Sequence, residues 1–149
     1  MQEVIKVTGT PTITLVCGIS NQIKQQKTIR NLVVDAGLNF FVRKIFDDFN
    51  GSIGPEIITF AAGEGTATPQ PEDTQLESEI SRTSISLKTV NGNEIDLFGG
   101  FIDTQAVGTL TEFGVLSDDN TLIARVVVTE PFEKTQTDFL NISWNFQIG

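Results

Sequence analysis

Few side chains in this sequence could carry chemistry. There is no histidine and no tyrosine, and Cys17 is the only cysteine. Without histidine the chain lacks the commonest general base and the commonest metal ligand. A Ser-His-Asp or Cys-His arrangement cannot be assembled, and neither can a zinc site of the usual nitrogen-and-sulfur kind. One cysteine allows no disulfide within the chain. It sits in the apolar run from Ile13 to Ile19 and reads as a small buried hydrophobe.

Carboxylates are the remaining candidates. Glycoside hydrolysis needs two of them facing one another across a substrate. Glu77 and Glu79 are too close in sequence for that, whereas Glu112, Glu130 and Glu133 could be gathered by the fold. Asp118-Asp119-Asn120 offers oxygen ligands, but a calcium loop needs alternating ligands and a distal glutamate. It reads as a turn. Gly63-Glu64-Gly65-Thr66 resembles a phosphate loop only in its glycines, since no Lys-Ser/Thr follows and Glu64 would repel an anion. The reading is therefore a protein that is not an enzyme, with no catalytic residue, metal or cofactor.

These residues lie in a chain of 149 residues with net charge −9 and pI near 4.3. That length suits one domain, residues 1–149. The acidity disfavours nucleic acid and anionic lipid as partners. No apolar run is long enough to span a membrane, and Met1-Gln2-Glu3 does not open a secretory signal.

The stretch Ile57–Arg82 reads as the joint of the domain. Ile57, Ile58 and Phe60 predict a strand. Gly63 and Gly65 let the chain turn, and Pro69 and Pro71 stiffen a loop. Thr74 and Glu77 have capping-box spacing, with Asp73 a rival N-cap, so a short helical turn with Leu76 and Ile80 on one face is expected. Before the joint, residues 1–30 read as N-terminal strands or an arm, with two strands either side of a Gly9-Thr10-Pro11 turn and a polar loop from Gln22 to Lys27. Residues 31–50 carry the one strong helix pattern: Leu38, Phe41, Val42, Ile45, Phe46 and Phe49 recur at helical spacing. Asn31 or Asp35 could start it and Gly51 end it.

Residues 56–149 read as the sheet core. Asn91-Gly92-Asn93 between β-rich runs signals a hairpin, and Gly99-Gly100 a bulge or close backbone approach. Leu110–Leu116 and Thr121–Thr129 predict a second hairpin across residues 117–120. Leu140, Ile142, Trp144, Phe146 and Ile148 alternate with polar residues, which predicts a half-buried strand that locks the terminus. The expected fold is mainly β: a jelly-roll-like antiparallel β-sandwich with one amphipathic helix packed on it and one short helical turn.

The order of several short motifs adds a resemblance. They are Asn31-Leu-Val-Val-Asp-Ala-Gly-Leu38, Gly63-Glu-Gly-Thr66, Asp73-Thr-Gln-Leu-Glu-Ser-Glu-Ile-Ser-Arg82, and Leu110-Thr-Glu-Phe-Gly-Val-Leu116, followed by Leu122-Ile-Ala-Arg125 and a final strand with Trp144. In this order the chain resembles small virion proteins of tailed bacteriophages, of the head-decoration or tail-fibre-like kind. The resemblance runs from Asn31 to the C-terminus and brings no catalytic motif. It implies a β-sandwich structural subunit of a virion, assembled in the host cytoplasm and homo-oligomeric, with a trimer as one arrangement. A capsid decoration or cement role between major capsid proteins is favoured, because the chain lacks a fibre's long stalk. A tail, baseplate or receptor-binding module is the alternative. A glycan platform would want exposed aromatic rings, yet the parity of Trp144 puts it in the core. Under this reading the partner-contact loop comprises Gly63, Glu64, Gly65, Thr66, Pro69, Pro71 and Asp73.

Overall fold

The computed structural model describes residues 6–45 and 54–149. Among these residues, nine strands and one helix follow in the order β1 (Val7–Cys17), β2 (Ile23–Thr28), β3 (Leu32–Val33), α1 (Asp35–Ile45), β4 (Ile57–Gly63), β5 (Glu79–Asn91), β6 (Glu94–Phe101), β7 (Gly108–Ser117), β8 (Leu122–Lys134) and β9 (Asp138–Ile148). The strands form one antiparallel sheet, ordered β2-β1-β9-β6-β5-β4-β7-β8-β3 and curled into a half-barrel. The mainly β class with one helix is as expected.

The curl is readable in β5. Its first half pairs with β4, from Ser84 opposite Thr59 to Glu79 opposite Gly63. Its second half pairs with β6, and the register slips between Ile85 and Leu87. A bulge at that point bends the strand. Gly99 makes room for the bend, since a Cβ there would meet Ser84 O at 3.0 Å and the Phe60 ring at 3.1 Å. The expectation for Gly99-Gly100 is met. The Asn91-Gly92-Asn93 hairpin forms too, with Gly92 at φ +63° in a two-residue loop.

Strand β9 lies mid-sheet between β1 and β6. Its period-two pattern holds: Leu140, Ile142, Trp144 and Phe146 are buried, while Asn141 and Gln147 are exposed. Trp144 stacks on Phe146 and, across the concave side, on Phe60 of β4, at centroid distances of 6.2 and 6.0 Å. Its indole N–H donates to Asn31 Oδ1 at 3.2 Å, so the largest core side chain leaves no polar atom unpaired.

Four expectations are corrected. The first is the turn at Gly9-Thr10-Pro11: β1 runs straight through it and pairs with β9 along its whole length. Pro11 is tolerated because its carbonyl accepts from Ile29 N (3.2 Å), which puts its missing N–H on the side away from β9. The second is the polar loop at Gln22–Lys27, which is the edge strand β2. It is exposed on both faces, so it has no apolar period to read, and its lysines suit an edge.

The third correction concerns the helix. It begins at Asp35, after β3, and Asn31 does not cap it. Gly37 lies so close to β8 that a Cβ would stand 2.1 Å from Ile123 O. That approach points Gly37, Phe40 and Phe41 inward and leaves Leu38, Val42 and Ile45 at 40%, 52% and 52% exposure. Burying each phenylalanine contributes on the order of 2–3 kcal/mol. Phe46, Phe49 and Gly51 lie outside the described residues. The fourth is the helical turn at Thr74–Ile80, which is absent. Leu76 is buried and Ile80 exposed, and Glu79 already belongs to β5. The Glu77 N–H that Thr74 would have capped goes to another acceptor, described next.

A candidate partner-contact loop over a buried carboxylate

Glu112 is fully buried in β7. It faces outward from the half-barrel core, beneath the connection between β4 and β5. Gly114 pairs with Arg125 across the β7–β8 ladder, so Glu112 and Arg125 are diagonal neighbours on one face. Arg125 Nε donates to Glu112 Oε2 at 2.9 Å. Three backbone N–H groups of the loop converge on the same carboxylate: Gly65 at 3.1 Å, Glu77 at 3.0 Å and Ser78 at 2.6 Å. Both ends of the loop are thus tied to one side chain. Arg125 Nη1 donates to Asp73 Oδ2 at 3.1 Å, which ties its middle as well.

Further bonds set the loop's shape. Thr66 N donates to Glu77 Oε1, Glu64 N to Ser78 O, and Thr111 Oγ1 to Gly65 O. Asp73 Oδ2 also accepts from Gln70 N, and Pro71 O accepts from Asp35 N at the start of α1. The glycines are required by proximity: a Cβ on Gly63 or Gly65 would stand 2.6 or 2.5 Å from Glu112 Oε1. A small apolar cluster of Val34, Ala61, Leu76, Leu116 and Leu122 fills the space beside this centre.

The seven candidate residues therefore divide. Glu64, Thr66 and Pro71 are exposed and present the loop's outer surface. Gly63 and Gly65 are buried beneath it. Asp73 is half-buried in its ion pair with Arg125, and Pro69 lines a groove toward residues 29–32. The other carboxylates considered above do not join Glu112. Glu130 and Glu133 are exposed on β8, and Glu133 accepts from Thr109 Oγ1 at 2.8 Å.

The 117–120 hairpin forms as expected, with Asn120 at φ +68°. Ser117 Oγ donates to Asp119, and bonds from Ser117 and Thr121 hold the Asp119 carboxyl below its ordinary range. Among the described residues no cluster of three or more cysteine or acidic side chains converges as a metal site. Cys17 is half-buried rather than core, and hydrogen bonding with Ser20 lowers its thiol pKa.

A second polar centre was not foreseen. Asp138 is buried at the start of β9 and accepts from Lys24 Nζ at 2.8 Å and from Thr135 N and Oγ1, both at 2.9 Å. Burial pushes its pKa up, but the bonds from Lys24 and Thr135 outweigh it and hold the carboxyl below its ordinary range. Nearby, buried Lys134 donates to the carbonyls of Ile102 (2.9 Å) and Asp103 (3.1 Å), and burial lowers its pKa. Sequence reading missed Glu112 and Arg125 as partners. The available signal was two opposite charges, each inside an apolar run of one hairpin.

Compared with known proteins, the chain matches no family model, no curated protein and no solved structure.

Proposed function

We propose that the chain is a non-enzymatic structural subunit of a tailed-bacteriophage virion, a capsid decoration or cement protein that docks on the outer shell between major capsid proteins. Two things support this reading. One is the ordered set of motifs from Asn31 to Trp144. The other, which carries it, is the Glu112-centred staple: three loop N–H groups and one arginine spend their bonding capacity on holding an exposed loop in one shape. A surface fixed before contact loses less entropy on docking. The exposed Glu64, Thr66 and Pro71 are its contact residues, and the chain's acidity would steer it to a basic shell surface. In this reading the half-barrel corresponds to the jelly-roll-like sandwich of a homo-oligomeric subunit that needs no cofactor.

The test adds purified protein to particles that lack it and locates it by electron cryomicroscopy. Density repeated over the shell, contacted through residues 64–72, is the expected result. Density confined to the tail would replace decoration by a tail or baseplate role. No bound density at all would refute the virion reading.

A further inference from the structure

Among the described residues, two buried side-chain donors have no hydrogen-bond partner: Asn31 Nδ2 and Arg125 Nη2. Both residues line the same groove, of about 340 Å³, with Ile29, Leu32, Pro69 and Val126 as its apolar walls. Buried donors without partners are uncommon and costly, so two of them on residues that share one groove are a reason to look there for an acceptor. The amide orientation of Asn31 is fixed by chemistry. Trp144 Nε1 can only donate, so Oδ1 must face it and Nδ2 must face away.

The groove also runs beside an open sheet edge. β3 pairs with β8 only at Leu32–Arg125 and Val33–Ala124. Past Arg125, no described strand pairs with that edge of β8, although Gln25 Nε2 of β2 donates to Glu130 O farther along, at 3.2 Å. The chain across the groove is already used, since Ile29 N and Asn31 N donate to β1. The charge of Arg125 is already met by Glu112 and Asp73. A third carboxylate would be repelled, so the vacant donors suit uncharged oxygen. Arg30 at the rim is solvent-exposed and its attraction is screened.

We infer that this groove receives an extended peptide segment of a partner protein, which adds alongside β8 at Val126–Val127 and offers uncharged carbonyl oxygens, from an Asn or Gln side chain or its own backbone, to Asn31 Nδ2 and Arg125 Nη2. Strand addition supplies main-chain hydrogen bonds, and the apolar walls accept the flanking side chains. The inference does not depend on placement in a virion.

The test pans a displayed library of random ten-residue peptides on the intact protein and synthesises the best binder. Its affinity is measured for the natural chain and for Asn31→Asp, which keeps an acceptor for Trp144 and replaces the free donor with a charged carboxylate oxygen that repels a peptide carbonyl. Thermal melting of both proteins checks folding. The expected result is a peptide rich in Asn or Gln between β-branched residues. It should shift amide resonances of residues 29–32 and 125–127 and bind the variant about tenfold more weakly, as loss of one buried hydrogen bond implies. No binder, equal affinity for the variant, or shifts elsewhere would overturn the inference. So would self-association that Asn31→Asp abolishes, which would make the groove an interface between copies.

Discussion

Glu112 and Asp138 are both buried carboxylates on the sheet, and they hold the chain by different means. Asp138 works mostly at short range. It accepts from Thr135, three residues earlier, and closes the turn between β8 and β9, with Lys24 as one distant partner. Glu112 has no such local role. Its loop donors lie 34 to 47 residues away, and its cation lies across the hairpin. One carboxylate shapes a turn that the chain would visit anyway. The other gathers a long connection that has no regular structure of its own. Buried ion pairs contribute little net stability on average, but removing one partner is severe because the other stays buried and charged. The two sites should therefore respond differently to mutation.

Glu112→Ala should give the largest effect. It strands three N–H groups and leaves buried Arg125 with only the half-buried Asp73 as counter-charge, a loss of about 3–5 kcal/mol. Differential scanning calorimetry should show a melting temperature lower by roughly 10 °C for a domain of this size. Limited proteolysis should cut within residues 64–78 first. Gly65→Ala perturbs the same centre more gently, because the new Cβ would have to push Glu112 and Glu77 aside. A cost of about 1–3 kcal/mol is expected in urea unfolding, with the rest of the sheet intact.

Asp138 is probed best with pH. Its folded pKa is depressed, so its contribution is present above the unfolded aspartate value of about 4 and is lost as pH falls through the folded value. Asp138→Asn should therefore be less stable than the natural chain at pH 7. The gap should narrow on acidification below pH about 4, which stability curves at several pH values would show. A gap independent of pH would remove Asp138 from the comparison. The smallest effect is expected at the exposed Arg82–Glu79 pair, 2.6 Å apart. Glu79→Gln should cost under about 1 kcal/mol, and less still in high salt.

The same contrast between near and far explains what the sequence revealed. The β9 pattern, the Gly92 hairpin and the 117–120 hairpin are set by neighbours in the chain, and all three were legible. Strand β2 was not, because an edge strand wet on both faces has no period. The buried arc of α1 was legible at Phe41 but not at Gly37 and Phe40, because the close approach of Gly37 sets how the helix meets β8. The capping box at Thr74–Glu77 was a sound local signal, but a distant carboxylate took its N–H. The candidate loop was legible from its glycines and prolines. What fixes its shape was not, since Glu112 and Arg125 stand among apolar residues and only the fold joins them.

The most direct measurement of the central claim is amide hydrogen exchange at Gly65, Glu77 and Ser78, followed by NMR in the natural chain and in Glu112→Gln. If Glu112 pins the loop, these three amides exchange slowly, like those of β7, and lose protection together in the variant. If they exchange as fast as their exposed neighbours, or keep their protection in the variant, Glu112 does not hold the loop and the account of a pre-shaped docking surface fails.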